Sequence, residues 1–181
     1  MDQLFAPWRI EWVRRQTPDE DIDCVFCHFW ETDADRDKLV VARAEHSYAL
    51  LNNYPYNPGH MMIVPVDHTG HLPDLEQATV AEVGWLTQRA IETLEASYEP
   101  DGFNVGYNLG GSASGGSIDN HVHQHVVPRW SGDTNFMPII DETKVIVEAL
   151  EATYDQLHGA FAELPEANST ATDRAVELRQ S

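Results

Sequence analysis

The chain has 181 residues, 42% of them hydrophobic, with 30 Asp and Glu against 11 Lys and Arg, a formal net charge of −19. That length suits one domain with a real core, and that charge argues against nucleic-acid duplexes and anionic membranes as partners, both of which need cationic patches. No apolar run approaches the about 18 residues of a membrane span, and Met1-Asp2-Gln3 has none of the basic and apolar character of a signal peptide, so a soluble, cytoplasmic protein is expected. Only Lys38 and Lys144 are lysine. An acidic, lysine-poor composition is expected of a protein kept soluble in concentrated salt, so a halophilic source is the hypothesis it suggests.

In chain order, residues 1–23 carry Trp8, Trp12 and Val13 among charges and are expected to form an N-terminal arm. Short apolar runs around 38–42, 47–52 and 60–66, broken by Asn, Pro and Gly, predict strands of an antiparallel sheet. Asp74 and Gln77 have the spacing of a capping box, and Leu75, Val83, Leu86, Ala90 and Leu94 keep one apolar helical face. Pro100 and Gly102 end that helix. Residues 103–109 alternate as a strand, 110–117 form a loop of glycine and small residues, and 121–127 form the next strand.

Past Gly132, Asn135 and Pro138, a second helix is expected from Ile146, Val147, Leu150, Tyr154, Leu157 and Phe161. Beyond Pro165 the chain turns polar, which predicts a mobile tail over 165–181. The elements add up to an α+β domain over 24–164: an antiparallel sheet of about five strands with helices packed on one face.

The run His121-Val122-His123-Gln124-His125 holds the chemistry. On a strand, side chains two apart share a face, so the three rings point the same way. Such a stripe fills a core poorly, since each buried ring nitrogen needs a partner. A solvated stripe paired to carboxylates and metal binding by all three rings are the alternatives. The upstream loop Gly110–Ser117 tips the balance to catalysis, because flexible small residues can turn backbone N–H groups toward an anion. Phosphate chemistry is the class this combination indicates. Cys24 and Cys27 form a CxxC pair, weak evidence alone: two free thiols are the default, and thiolate ligands for zinc are the alternative in a reducing compartment.

The run His121–Trp130 resembles the signature of the histidine triad (HIT) superfamily, His-φ-His-φ-His-φ-φ with φ apolar, from which Gln124 departs. Leu51–Pro65 and Leu4–Arg9 are similar to two further segments of that family, in the family's order over roughly residues 4–140, closest to the diadenosine tetraphosphate phosphorylase and hydrolase branch. The resemblance implies a HIT-like fold, as a homodimer that extends one sheet. It also implies His123 as the nucleophile on an α-phosphate, giving a nucleotidyl-histidine intermediate, with His125 bonding the phosphate or bridging oxygen. Ser117 and the amides near Gly115 and Gly116 then stabilise the growing charge.

Asn52, eight residues before His60, falls where the family contacts the ribose, and Asn108 where it approaches the phosphates. A turn or strand-end role is the alternative for both. His60 is a candidate buried hydrogen-bonding partner. Arg129 is a candidate for a distal phosphate, with a pairing to one of the many acids as the alternative. For zinc, the family implies His68 and His121 beside Cys24 and Cys27, with His28 and His71 nearby as alternatives. No organic cofactor is expected. The activity implied is cleavage or transfer at nucleoside 5′-phosphoryl bonds, with dinucleoside polyphosphates favoured. Nucleoside phosphoramidate hydrolysis or slow-turnover nucleotide sensing are the alternatives, and metal handling is last.

Overall fold

The computed structural model describes residues 22–114, 118–133, 149–168 and 171–180. Residues 1–21 of the expected N-terminal arm, the loop residues Gly115, Gly116 and Ser117, and Asn135, Pro138, Ile146 and Val147 lie outside them. The described elements are α1 (Val25–Glu31), β1 (Val40–Arg43), β2 (Ser47–Leu51), β3 (Met61–Pro65), α2 (Gln77–Tyr98), β4 (Gly102–Tyr107), β5 (Gln124–Arg129), α3 (Leu150–Ala162) and β6 (Val176–Glu177). No helix among the described residues is long and apolar enough to cross a membrane.

Six strands form one sheet in the order β4-β5-β3-β2-β1-β6. The first five pair antiparallel, with a short turn between β1 and β2, longer loops between β2 and β3 and between β4 and β5, and α2 between β3 and β4, whereas β6 runs parallel to β1. All five residues of β2 are buried, as befits a central strand covered on both faces. Ala49 and Leu51 of β2, Met61 and Ile63 of β3 and Val126 of β5 meet Val83, Leu86, Ala90 and Leu94 of α2 and Tyr154, Leu157 and Phe161 of α3. Tyr48, Leu50 and Val64 face the other way and pack against Phe26 of α1. This division follows the strand period of two, so the two cores are legible from alternation once each strand is placed.

Four particulars differ from the sequence-based expectation. The sheet has six strands, and α1 covers part of the face opposite α2 and α3. The capping box does not form: helix α2 starts behind Glu76, and Asp74 sits in a preceding 3-10 turn, where its carboxylate bonds His71 Nδ1 at 3.0 Å. Strand β5 begins at Gln124, so His121 and His123 lie in the extended segment that feeds it, where Val122 N–H bonds Thr69 O at 2.7 Å. The polar segment past Pro165, expected as a mobile tail, contributes β6 and buries Ala175, Val176 and Leu178.

Candidate active site

His121, His123 and His125 form a continuous row whose members face different partners. Phe26 of α1 lies against both of the first two rings, at 5.5 Å from His121 and 5.0 Å from His123 between centroids. The His123 and His125 rings meet edge-on at 5.1 Å.

The hydrogen-bond pattern assigns a tautomer to each ring in its neutral form. His123 Nδ1 lies 2.9 Å from the carbonyl oxygen of His121, which only accepts, so Nδ1 carries the hydrogen and Nε2 the lone pair. A nucleophilic imidazole needs that arrangement. His125 is set the opposite way through His60. The backbone N–H of Tyr56 donates to His60 Nδ1 at 3.1 Å, so His60 Nε2 holds the hydrogen and donates to His125 Nδ1 at 3.0 Å. His125 Nε2 is therefore a donor; Asn108 Nδ2 lies 3.3 Å from it, and the amide accepts this hydrogen when turned so that Oδ1 takes that place. One ring presents a lone pair and its neighbour an N–H.

Gly59 delivers His60 to this position. Its φ of +76° is one that side chains rarely allow, and a Cβ there would lie 2.7 Å from Leu94 Cδ2. Asn57 steadies the same turn by donating to Pro128 O at 2.8 Å and to Asp133 Oδ2 at 2.9 Å.

A pocket enclosing about 650 Å³, its mouth included, opens beside the row. Val25, Phe26 and Phe29 of α1 with Leu50, Met62 and Ile118 form an apolar end, while Asn52, Asn53, Asn108, His123 and His125 supply polar groups. Among the described residues no lysine or arginine lines it. Asn52 lines the pocket and also accepts the Tyr54 N–H at 2.8 Å, so its turn role and its place at the site coexist.

Arg129 is placed elsewhere. It forks onto Asp133, Nε to Oδ2 at 2.6 Å and Nη2 to Oδ1 at 2.9 Å, and donates to Asn104 at 2.6 Å, opposite Gly102 at the far end of β5. This pairing raises the arginine and holds the Asp133 carboxyl well below the usual carboxylate range. Arg129 thus takes up the acid pairing that the charge balance also allowed.

Sequence reasoning missed α1, three of whose seven residues wall the pocket. A seven-residue helix gives too few turns for a hydrophobic period, and the available signal was the CxxC spacing itself, one helical turn that brings two thiols together.

Behind the row, Cys24 Sγ lies 3.3 Å from His121 Nδ1, and Cys27 Sγ lies 3.6 Å from the same atom and 3.1 Å from His68 Nδ1. The four ligand atoms of Cys24, Cys27, His68 and His121 fall within 4.8 Å of one another. A tetrahedral ion with bonds of about 2.0–2.3 Å spaces its ligands about 3.3–3.8 Å apart, so the donor set fits a metal with little adjustment. His121 donates from Nε2 to Pro65 O at 2.8 Å, which turns the lone pair of Nδ1 toward the sulfurs. Burial lowers the affinity of this ring for a proton, which favours the neutral, ligating form. Burial and then the adjacent Cys24 push the Cys27 thiol up to about 11, a penalty that a cation between the sulfurs would reverse. Gly70 makes the site possible, since a Cβ there would lie 2.1 Å from the carbonyl oxygen of Asp119 and hold the His68 loop away from His121. The alternatives His28 and His71 are not in the group.

Comparison with known proteins gives four findings. The chain is 49% identical over 132 residues to the AP-4-A phosphorylase of Mycobacterium tuberculosis, covering 73% of this chain and 67% of that protein. It is 27% identical over 108 residues to the adenosine 5′-monophosphoramidase hnt1 of Schizosaccharomyces pombe, covering 60% and 75%. A zinc-bound histidine triad family protein of Mycobacterium smegmatis superposes with a TM-score of 0.60 at 27% identity, over 78% of this chain and 94% of that one. The HIT domain model matches residues 33–132, which hold the strands β1 to β5, the pocket's polar end and the whole histidine row. The chain therefore belongs to the HIT family.

Proposed function

We propose that this protein is an enzyme that cleaves dinucleoside polyphosphates, diadenosine tetraphosphate among them, by transferring a nucleoside 5′-phosphoryl group to His123. One observation carries the reading: His123 Nδ1 is committed to the His121 carbonyl while the ring lines the pocket beside a donor, His125. The resemblance to the M. tuberculosis phosphorylase supports the substrate class.

The apolar end of the pocket receives the base between Phe29, Leu50 and Met62, and Asn52 meets the ribose. His123 Nε2 attacks the α-phosphorus, and the bond from that phosphorus to the bridging oxygen breaks as the nucleotidyl-histidine forms, so that diadenosine tetraphosphate leaves AMP on the ring and departs as ATP. His125 Nε2–H bonds an oxygen of the transferring group, with Asn108 alongside. Gly115, Gly116 and Ser117 are the loop groups assigned to the growing negative charge. Phosphate then attacks the intermediate, giving ADP and restoring the ring; water in its place gives AMP. Arg129 has no part in this scheme.

The metal we assign to Cys24, Cys27, His68 and His121 is zinc, in a closed structural role. When bound it would neutralise the two thiolates and pin α1 to the start of β5. The thiols it needs persist in a cytoplasmic setting. No organic cofactor enters the chemistry. A homodimer is supported by β4, an edge strand that leaves Val105 44% exposed and is followed by Leu109 at 43%.

The test is product analysis with diadenosine tetraphosphate, with and without inorganic phosphate. ADP and ATP formed only with phosphate identify phosphorolysis, and AMP with ATP identifies hydrolysis; nucleotide binding without turnover would sink the enzymatic assignment. Metal analysis of the same preparation is expected to give one zinc per chain, and light scattering to give a dimer.

A further inference from the structure

Helix α1 supplies three walls of the pocket, yet seven residues cannot hold a helix by themselves. Its first turn is tied by the cysteines. Its last turn is tied by Arg43, which reaches over from the end of β1. The guanidinium donates to the carbonyls of Phe29 and Trp30 at 2.8 Å each and of Thr32 at 3.2 Å. Carbonyls in a final turn lack intrahelical partners, so this fork satisfies them together and sets where the helix stops. The same group lies 4.8 Å over the Trp30 ring.

Asp35 fixes the fork in turn. Its Oδ1 accepts from Arg43 Nε at 2.9 Å and Nη2 at 2.6 Å, and the two side chains are 1% and 15% exposed. Its Oδ2 accepts the backbone N–H of Ala175 at 2.9 Å, immediately before β6. A run of bonds thus links the C-terminal strand, Asp35, Arg43 and the helix that walls the pocket. Neither Arg43 nor Asp35 lines the pocket itself. A buried ion pair is a weak source of net stability compared with apolar packing, so the geometry it imposes is its distinctive contribution.

We infer that Arg43, oriented by Asp35, is a positioning residue for nucleotide binding: it sets the place of the α1 wall, and with it the affinity and base preference of the pocket. This rests on the nucleotide reading of the pocket given above. The reacting groups are held apart from that last turn. His123 is bonded to the His121 carbonyl and His125 to His60, and Phe26, the α1 residue that packs on His123, lies in the first turn with its carbonyl bonded by Tyr48, so displacing the end of α1 leaves the rate of chemistry nearly intact.

The experiment uses R43K, which keeps the charge but cannot span three carbonyls and a carboxylate. AMP and GMP affinities are measured by calorimetry, and kcat and KM with diadenosine tetraphosphate. We expect the AMP Kd and the KM to rise together by about tenfold, the ratio of AMP to GMP affinity to differ from that of the wild type, and kcat to stay within about twofold. If R43K does not fold, the neutral pair R43Q/D35N carries the same prediction, since removing both partners leaves no unpaired buried charge. A folded variant with wild-type AMP affinity, or one that loses kcat at constant KM, overturns the proposal. So does failure of both variants to fold, which assigns the pair to stability alone. Wild-type protein that binds AMP without cleaving the tetraphosphate rejects the proposed reaction, while the AMP affinities still judge Arg43.

Discussion

The two reacting rings differ only in which nitrogen the protein occupies. His123 is bonded through Nδ1 to the backbone carbonyl of His121 and His125 through Nδ1 to the donor His60, so identical side chains two residues apart become an acceptor and a donor. This makes His60 decisive although it is 1% exposed and absent from the pocket wall. Replacing it with Phe removes the donor that sets His125; we expect kcat to fall about 10²-fold with KM little changed, and H60Q, which keeps an N–H, to recover part of the loss. Equal kcat values for wild type and H60F would show that His125 needs no such setting. The histidine row was legible because alternation alone names its members. Which ring does what was not, because each role depends on carbonyls and side chains brought in by β3 and the Gly59 turn. Arg129 illustrates the same limit: a long cation in an acidic chain has many possible partners, and only the fold places Asp133 and Asn104 on either side of it. Gln124 departs from the apolar pattern for a local reason. It points away from its histidine neighbours toward α2, where Thr87 lies within hydrogen-bond distance at 2.5 Å.

At the level of elements, long periodic segments were legible and short ones were not. Helix α2 runs for 22 residues, and its core side is the apolar face read from spacing. Helix α1 and strand β6 have seven and two residues, too few for any period to show, and both are held by partners remote in sequence. Strand β6 is held by Val176 and Leu178 in the core and by Asp35 on the Ala175 N–H. Burying a Val and a Leu contributes about 3–5 kcal/mol. Deleting residues 174–181 should therefore lower the melting temperature by about 10 °C. A melting curve unchanged by the deletion would return the segment to the mobile tail that its polar composition suggests.

For the whole molecule, a net charge of −19 opposes the approach of a polyanion. The described pocket lining contributes no arginine or lysine to offset it, so attraction must come from N–H groups at short range. Salt screens the long-range repulsion, with a Debye length of about 10 Å at 0.1 M and about 3 Å at 1 M, and spares contacts inside the site. The KM for diadenosine tetraphosphate should fall as salt rises, contrary to a site built on exposed cations, and the unfolding midpoint should rise across the same series. A midpoint already maximal in dilute buffer would contradict the proposed halophilic character. The central claim is the covalent role of His123, and the most direct measurement is mass spectrometry of the enzyme quenched during turnover of diadenosine tetraphosphate. One AMP moiety is expected on His123, absent from H123A, which still binds nucleotide; turnover with the adduct on another residue, or an H123A enzyme that retains activity, would rule out that role.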